Sequence, residues 1–140
     1  EFPEEEATEI TMRWSGESRV VWKYHNGVYT RWNGSDPHNW VAADGTTGQL
    51  TADVLVVLIG ILYTASPPSG VDGDPVPAID TIGSGDALVF AYGLVWQGTW
   101  ERDDITEPFR LLNADGSPAV VPPGVPWVSI FPGGRDIDFS

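Results

Sequence analysis

The chain has 140 residues, 41% of them hydrophobic, with 7 Trp and a net charge of −13. That length suits one domain with a buried core of its own, and the charge argues against phosphate backbones and anionic membrane surfaces as partners. With no cysteine, disulfides, thiol catalysis and cysteine-based zinc sites are excluded.

Residues 1–9 carry five glutamates and read as a disordered acidic leader. The chain opens Glu-Phe-Pro rather than Met, which reads as a processed or excised domain with any targeting signal upstream. Residues 10–140 form a single expected β domain. Ile10 to Ser15 alternates apolar and polar residues, a first strand.

Val20 to His25 and Val28 to Trp32 flank Asn26-Gly27, the dipeptide of a two-residue type I′ hairpin. In that register Tyr24 faces Tyr29 and Trp22 faces Arg31, both as close, non-hydrogen-bonded pairs. One face then carries Trp22, Tyr24, Tyr29 and Arg31. These four are expected to form an inward aromatic cluster, with the guanidinium over the rings and bonded to a carbonyl or carboxylate.

Asn33 to Gly48, rich in Asn, Asp, Gly, Ser and Thr, reads as loop. Val54 to Thr64 is a continuous apolar run, the signature of a strand buried on both faces. Gly60 within it marks a bulge or a close approach. Its apolar core, Val54 to Leu62, is too short to span a bilayer. Ala65 to Ala78, with four prolines, reads as an extended loop. Asp86 to Ala91 and Leu94 to Arg102 form a second hairpin around Tyr92-Gly93, and Asp115-Gly116 marks a third. Pro126 to Phe131 is a last strand, in which Trp127 alternates with Ser129 and Phe131 toward the core. The tail from Gly133 adds an edge strand or frays. No stretch shows helical periodicity. The expected fold is all-β and mainly antiparallel, a sandwich or partly open barrel of about seven to nine short strands with long loops.

The order of VVWKYHNGVYTRW, the Pro37-His38 pair, TADVLVVLI, TIGSGDALVFAYGLVWQGTW, GSPAV and PPGVPWVSIFP resembles the C-terminal domain of the YerB-like lipoproteins, known as domain of unknown function 3048 (DUF3048). The resemblance spans Ile10 to Pro132. It implies a bacterial cell-envelope protein, held outside the membrane by a lipid on an upstream cysteine, with an upstream domain. It implies no agreed enzymatic activity. Family members often place an acid two residues after the Pro-His; here Trp40 holds that position.

Among candidate chemistries, His25 and His38 are the only histidines, and no G-x-S-x-G is present. Asp72 and Asp74, with Asp80 nearby, offer oxygen ligands of the kind calcium takes, but no EF-hand loop is formed. Glu101, Asp103 and Asp104 form a second acidic cluster. Solvated loops are the preferred reading of both. No cofactor motif is legible.

The aromatics carry more information. Trp96 and Trp100 share one strand face with Gly98 between them, either as a sugar-stacking platform or, the preferred reading, as core. The candidate ligand-binding residues are therefore Trp32, His38, Trp40, Trp96 and Trp100. The expected role is a non-catalytic binding or scaffolding module for envelope protein or cell-wall glycan. The rival is a cell-wall hydrolase that uses loop carboxylates and His38, which requires a pocket where His38 meets two acids. A domain that merely supports an upstream partner domain should show an apolar patch near Ile10.

Overall fold

The computed structural model describes residues 2–65 and 76–140. Within them there is no helix. Chain order gives β1 (Glu9–Arg13), β2 (Arg19–His25), β3 (Val28–Asn33), β4 (Asp36–Pro37), β5 (Asn39–Val41), β6 (Thr47–Gln49), β7 (Thr51–Ala52), β8 (Val54–Gly60), β9 (Leu62–Ala65), β10 (Val76–Ile79), β11 (Gly83–Ala91), β12 (Leu94–Arg102), β13 (Arg110–Leu112), β14 (Pro126–Pro132) and β15 (Ile137–Phe139). The all-β expectation holds, as a sandwich-like arrangement with no closed barrel among the described residues.

One sheet runs β15-β1-β2-β3-β4, with β7 also on β3; the other runs β13-β12-β11-β8-β14. Period-2 alternation sorts the second sheet's side chains into two layers. Leu55, Val57, Leu88, Phe90, Val95 and Phe131 pack with Ile10, Met12, Trp22 and Tyr29 of the first sheet, forming the core between the sheets. Val54, Val56, Leu58, Ala87, Val89, Trp96 and Trp100 face the other way, under Phe2, Phe109, Leu111 and Ala119. Strand β8 is thus buried on both faces, as its unbroken apolar composition predicts.

The Asn26-Gly27 hairpin has the expected register, with Tyr24 opposite Tyr29 and Trp22 opposite Arg31. Both turn residues have positive φ, 51° and 88°, as a type I′ turn demands. Tyr92-Gly93 repeats this at 58° and 75°. The tail forms β15 and pairs with β1 along Ile10↔Phe139 to Met12↔Ile137.

Several expectations need correction. Residues 2–9 are held in place rather than loose. The N–H of Ala7 donates to the Gly93 carbonyl (2.7 Å), that of Val95 donates to the Glu5 carbonyl (3.0 Å), and Ala7 is fully buried. The Asn33 to Gly48 stretch contains β4, β5 and β6, because short polar residues pair across tight turns without needing an apolar pattern. This raises the strand number above the expected seven to nine.

The apolar run also breaks at Ile61, whose carbonyl accepts from the Asp80 N–H (2.9 Å), and the chain continues as β9 on β10. Gly60 is a close approach. A Cβ there would lie 2.6 Å from the Ile79 side chain and 2.9 Å from the Asp80 carbonyl. Finally, β14 pairs with β8 in parallel, from Pro126↔Val54 to Pro132↔Gly60. The third hairpin keeps only one arm as a strand: β13 lies on β12, and its return arm makes a single bridge, Leu112↔Pro118.

Candidate binding cleft

Beside the edge strand β14, a cleft of about 230 Å³ opens between the two sheets. β1 contributes Met12, the turn after it Trp14, β2 Val20 and Trp22, β3 Arg31, and β14 Trp127 to Ile130. Trp22 is buried at the back; Trp14 and Trp127 are half-buried. The rings meet edge to face: Trp22 lies 5.5 Å from Trp127 and Trp14 lies 4.8 Å from Phe131. Ser129 is the one buried polar residue of the described chain.

The Arg31 guanidinium lies 5.9 Å from the centre of the Trp22 ring and 5.3 Å from that of Trp127, a double cation–π contact. Its Nη1 donates to Asn33 Oδ1 (3.0 Å) and to Nδ1 of His38. A guanidinium only donates, so Nδ1 of His38 is the acceptor and its proton sits on Nε2. The backbone holds this pair in register, because the Arg31 carbonyl accepts from the His38 N–H (2.9 Å) and from Gln49 Nε2 (3.0 Å). Burial lowers the Arg31 pKa, the sign of a charge partly removed from water. Nε of Arg31 is buried with no hydrogen-bond partner, alone among the described side chains.

The four-residue hairpin cluster therefore exists, with one correction: Arg31 bonds a side-chain amide oxygen and a histidine, not a backbone carbonyl or a carboxylate. Tyr24 and Tyr29 pack 4.9 Å apart. The Tyr29 hydroxyl donates to the Ala7 carbonyl (3.4 Å) and accepts from the Gly93 N–H (3.2 Å). Burial pushes the Tyr29 pKa upward, partly offset by the Gly93 bond.

The other sequence candidates scatter. Trp32 lies on the outer face of β3, with Lys23 Nζ 4.7 Å from its ring centre and its indole N–H on Thr30 Oγ1 (3.1 Å). Trp40 is 45% exposed on β5, its ring lying over Gly48. Trp96 and Trp100 do share a strand face, and both rings are buried, as the core alternative expects, with Trp96 also lining a cleft beside Phe2 and Tyr92. Their indole N–H groups donate to Asn113 Oδ1 (2.9 Å) and the Ile59 carbonyl (2.8 Å), and Phe109 meets Trp100 edge to face at 5.4 Å. The space over Gly98 is filled by the Trp96 ring itself, 2.3 Å from where a Cβ would stand.

His38 meets a guanidinium where the hydrolase reading needs two acids; among the described residues no ion pair joins it to a carboxylate. Of the second acidic cluster, Glu101 and Asp103 bind Arg110 at 3.0 and 2.7 Å, together with Glu107 at 3.0 Å, and this raises the Arg110 pKa. Asp104 accepts instead from Thr106. Asp72 and Asp74 lie outside the described residues. Ile10 itself is fully buried between β2 and β15.

Sequence reasoning missed Trp14 and Trp127 as site residues. Their alternation with Met12 and with Ser129 assigned a face. Only the packing of β14 against the first sheet brings the two indoles to one opening.

Residues 10–128 match the C-terminal domain of a protein of unknown function (DUF3048). The chain belongs to the DUF3048 C-terminal domain family. That family carries no assigned activity. The crystal structure of the YerB protein from Bacillus subtilis is similar in fold, with a TM-score of 0.68 at 18% identity over 98% of this chain. The match takes up 46% of the YerB chain, so the DUF3048 domain described here spans less than half of that relative. No curated protein matches the chain in sequence.

Proposed function

We propose that this DUF3048 domain is a non-catalytic, extracytoplasmic module of a bacterial cell-envelope lipoprotein, lipid-anchored through an upstream segment, and that it binds cell-wall glycan. The observation that carries this reading is the cleft in which the Arg31 guanidinium lies over the Trp22 and Trp127 rings, with Trp14 in the same lining. Sugar C–H faces stack on indoles, while fixed polar groups set orientation. The volume, below the roughly 300 Å³ at which drug-sized ligand pockets begin, suits one sugar ring with the rest of a chain outside. A cleft of about 320 Å³ between Phe2, Tyr92, Trp96 and Pro118 has no charged group in its lining.

A second reading, an envelope protein as partner, draws on β14. It is a sheet edge with one neighbour, and Val128 within it and Val125 just before it are exposed.

The test is co-sedimentation of the domain with purified peptidoglycan, followed by tryptophan fluorescence, beside a Trp127→Ala variant whose fold is checked by circular dichroism. Binding that is lost in the folded variant supports the glycan reading. Absence of binding by the native domain rejects it and leaves the protein partner.

A further inference from the structure

The chain holds 20 carboxylates, and its arginines use them unevenly. Arg110, on the surface, gathers three. Arg13 pairs with Asp138 at 3.6 Å. Arg31, part-buried between two indoles, has none among the described residues, although burial makes a neutralising partner more valuable there than on the surface. Its Nη1 is taken by Asn33 and His38. Nε is buried without a partner, and the side-chain hydrogen bonds of Arg31 to described residues both come from Nη1. These two nitrogens form one edge of the guanidinium fork, the edge that meets a carboxylate with two parallel hydrogen bonds. A carboxylate bound on that edge would lie in the plane of the guanidinium. The indole N–H groups of Trp14, Trp22 and Trp127 also make no hydrogen bond among the described residues, unlike those of Trp32, Trp96 and Trp100.

We infer that the cleft selects a carboxylate-bearing pyranose, with the acid group on the Nε/Nη2 edge of Arg31 and the ring against Trp127 and Trp14. This rests on the glycan reading and sharpens it to acidic sugars. The guanidinium is the fixed charge, Asn33 and His38 orient it by holding Nη1, and the indoles supply both the stacking face and spare donors for sugar hydroxyls.

The test follows the indole and guanidinium N–H signals of the domain by NMR during titration with N-acetylmuramic acid, with N-acetylglucosamine, which lacks the lactyl carboxylate, and with acetate, which lacks the sugar. The expected result is binding of the acid sugar about tenfold or more tighter than either fragment, with shifts at Trp14, Trp127 and Arg31. In Arg31→Gln, checked for fold by its amide spectrum, that preference should vanish while stacking shifts remain. Equal binding of the two sugars would overturn the acidic-sugar inference and leave the glycan reading standing. Acetate binding as tightly as the acid sugar would also overturn it, as a general anion site. No binding of either sugar would remove the glycan reading as well.

Discussion

Trp96 and Trp100 on β12 and Trp22 and Trp127 beside β14 are all packed against core, yet their polar atoms differ. The β12 pair is closed. Each indole N–H has a protein acceptor, and Gly98 and Gly85 leave room for the rings, since a Cβ at Gly85 would stand 2.7 Å from Trp100 Nε1. The β14 group is open. Its indoles surround a guanidinium edge that the described protein does not satisfy. Satisfied buried polar groups mark structure, and a buried donor left without a partner is a reason to look for a ligand.

The comparison breaks if the two groups respond alike. Trp100→Ala should cost the most, about 3–5 kcal/mol of stability by denaturant unfolding, because it opens a cavity and leaves the Ile59 carbonyl unpaired. Any glycan affinity should persist in the fraction that stays folded. Gly98→Ala should cost about 1–3 kcal/mol, because its Cβ would stand 2.4 Å from the Leu112 carbonyl as well as against the Trp96 ring. Trp127→Ala should show the opposite balance. Its half-buried ring costs about 1–2 kcal/mol, read from the same unfolding curves, while peptidoglycan binding is abolished.

The smallest effect is electrostatic. Hydrogen bonds from Thr106 depress the Asp104 pKa below its usual 3.8, and Ser117 does the same for Asp115. A depressed folded value means these carboxylates add stability above the unfolded pKa and lose it as pH falls through the folded one. The stability advantage of the native domain over Asp104→Ala should therefore be full at neutral pH and shrink as the pH falls below the usual carboxylate value of 3.8. A constant difference across that window would show that the Thr106 bonds do not depend on ionised Asp104.

Local chemistry was legible wherever it acts over a few residues. Asn26-Gly27 and Tyr92-Gly93 declare their turns, and the turns set the pairing of Trp22 with Arg31. The run from Val54 announces a strand buried on both faces. The strands at Asn33 to Gly48 escaped because polar residues paired across turns leave no periodic trace. The leader escaped because its anchors, the Tyr29 hydroxyl and the Gly93 backbone, lie far along the chain.

By itself, then, the sequence determined an acidic all-β domain, its main hairpins and the side of each strand that faces inward, since alternation and turn chemistry are short-range. Only the tertiary structure decided which inward aromatics become sealed core and which border an opening. Trp96 and Trp127 show the same alternation in sequence. One meets Asn113 and a covering loop, the other meets Trp22 and Arg31 across a gap between sheets. That choice depends on how distant segments cover one another, and strand periodicity does not encode it.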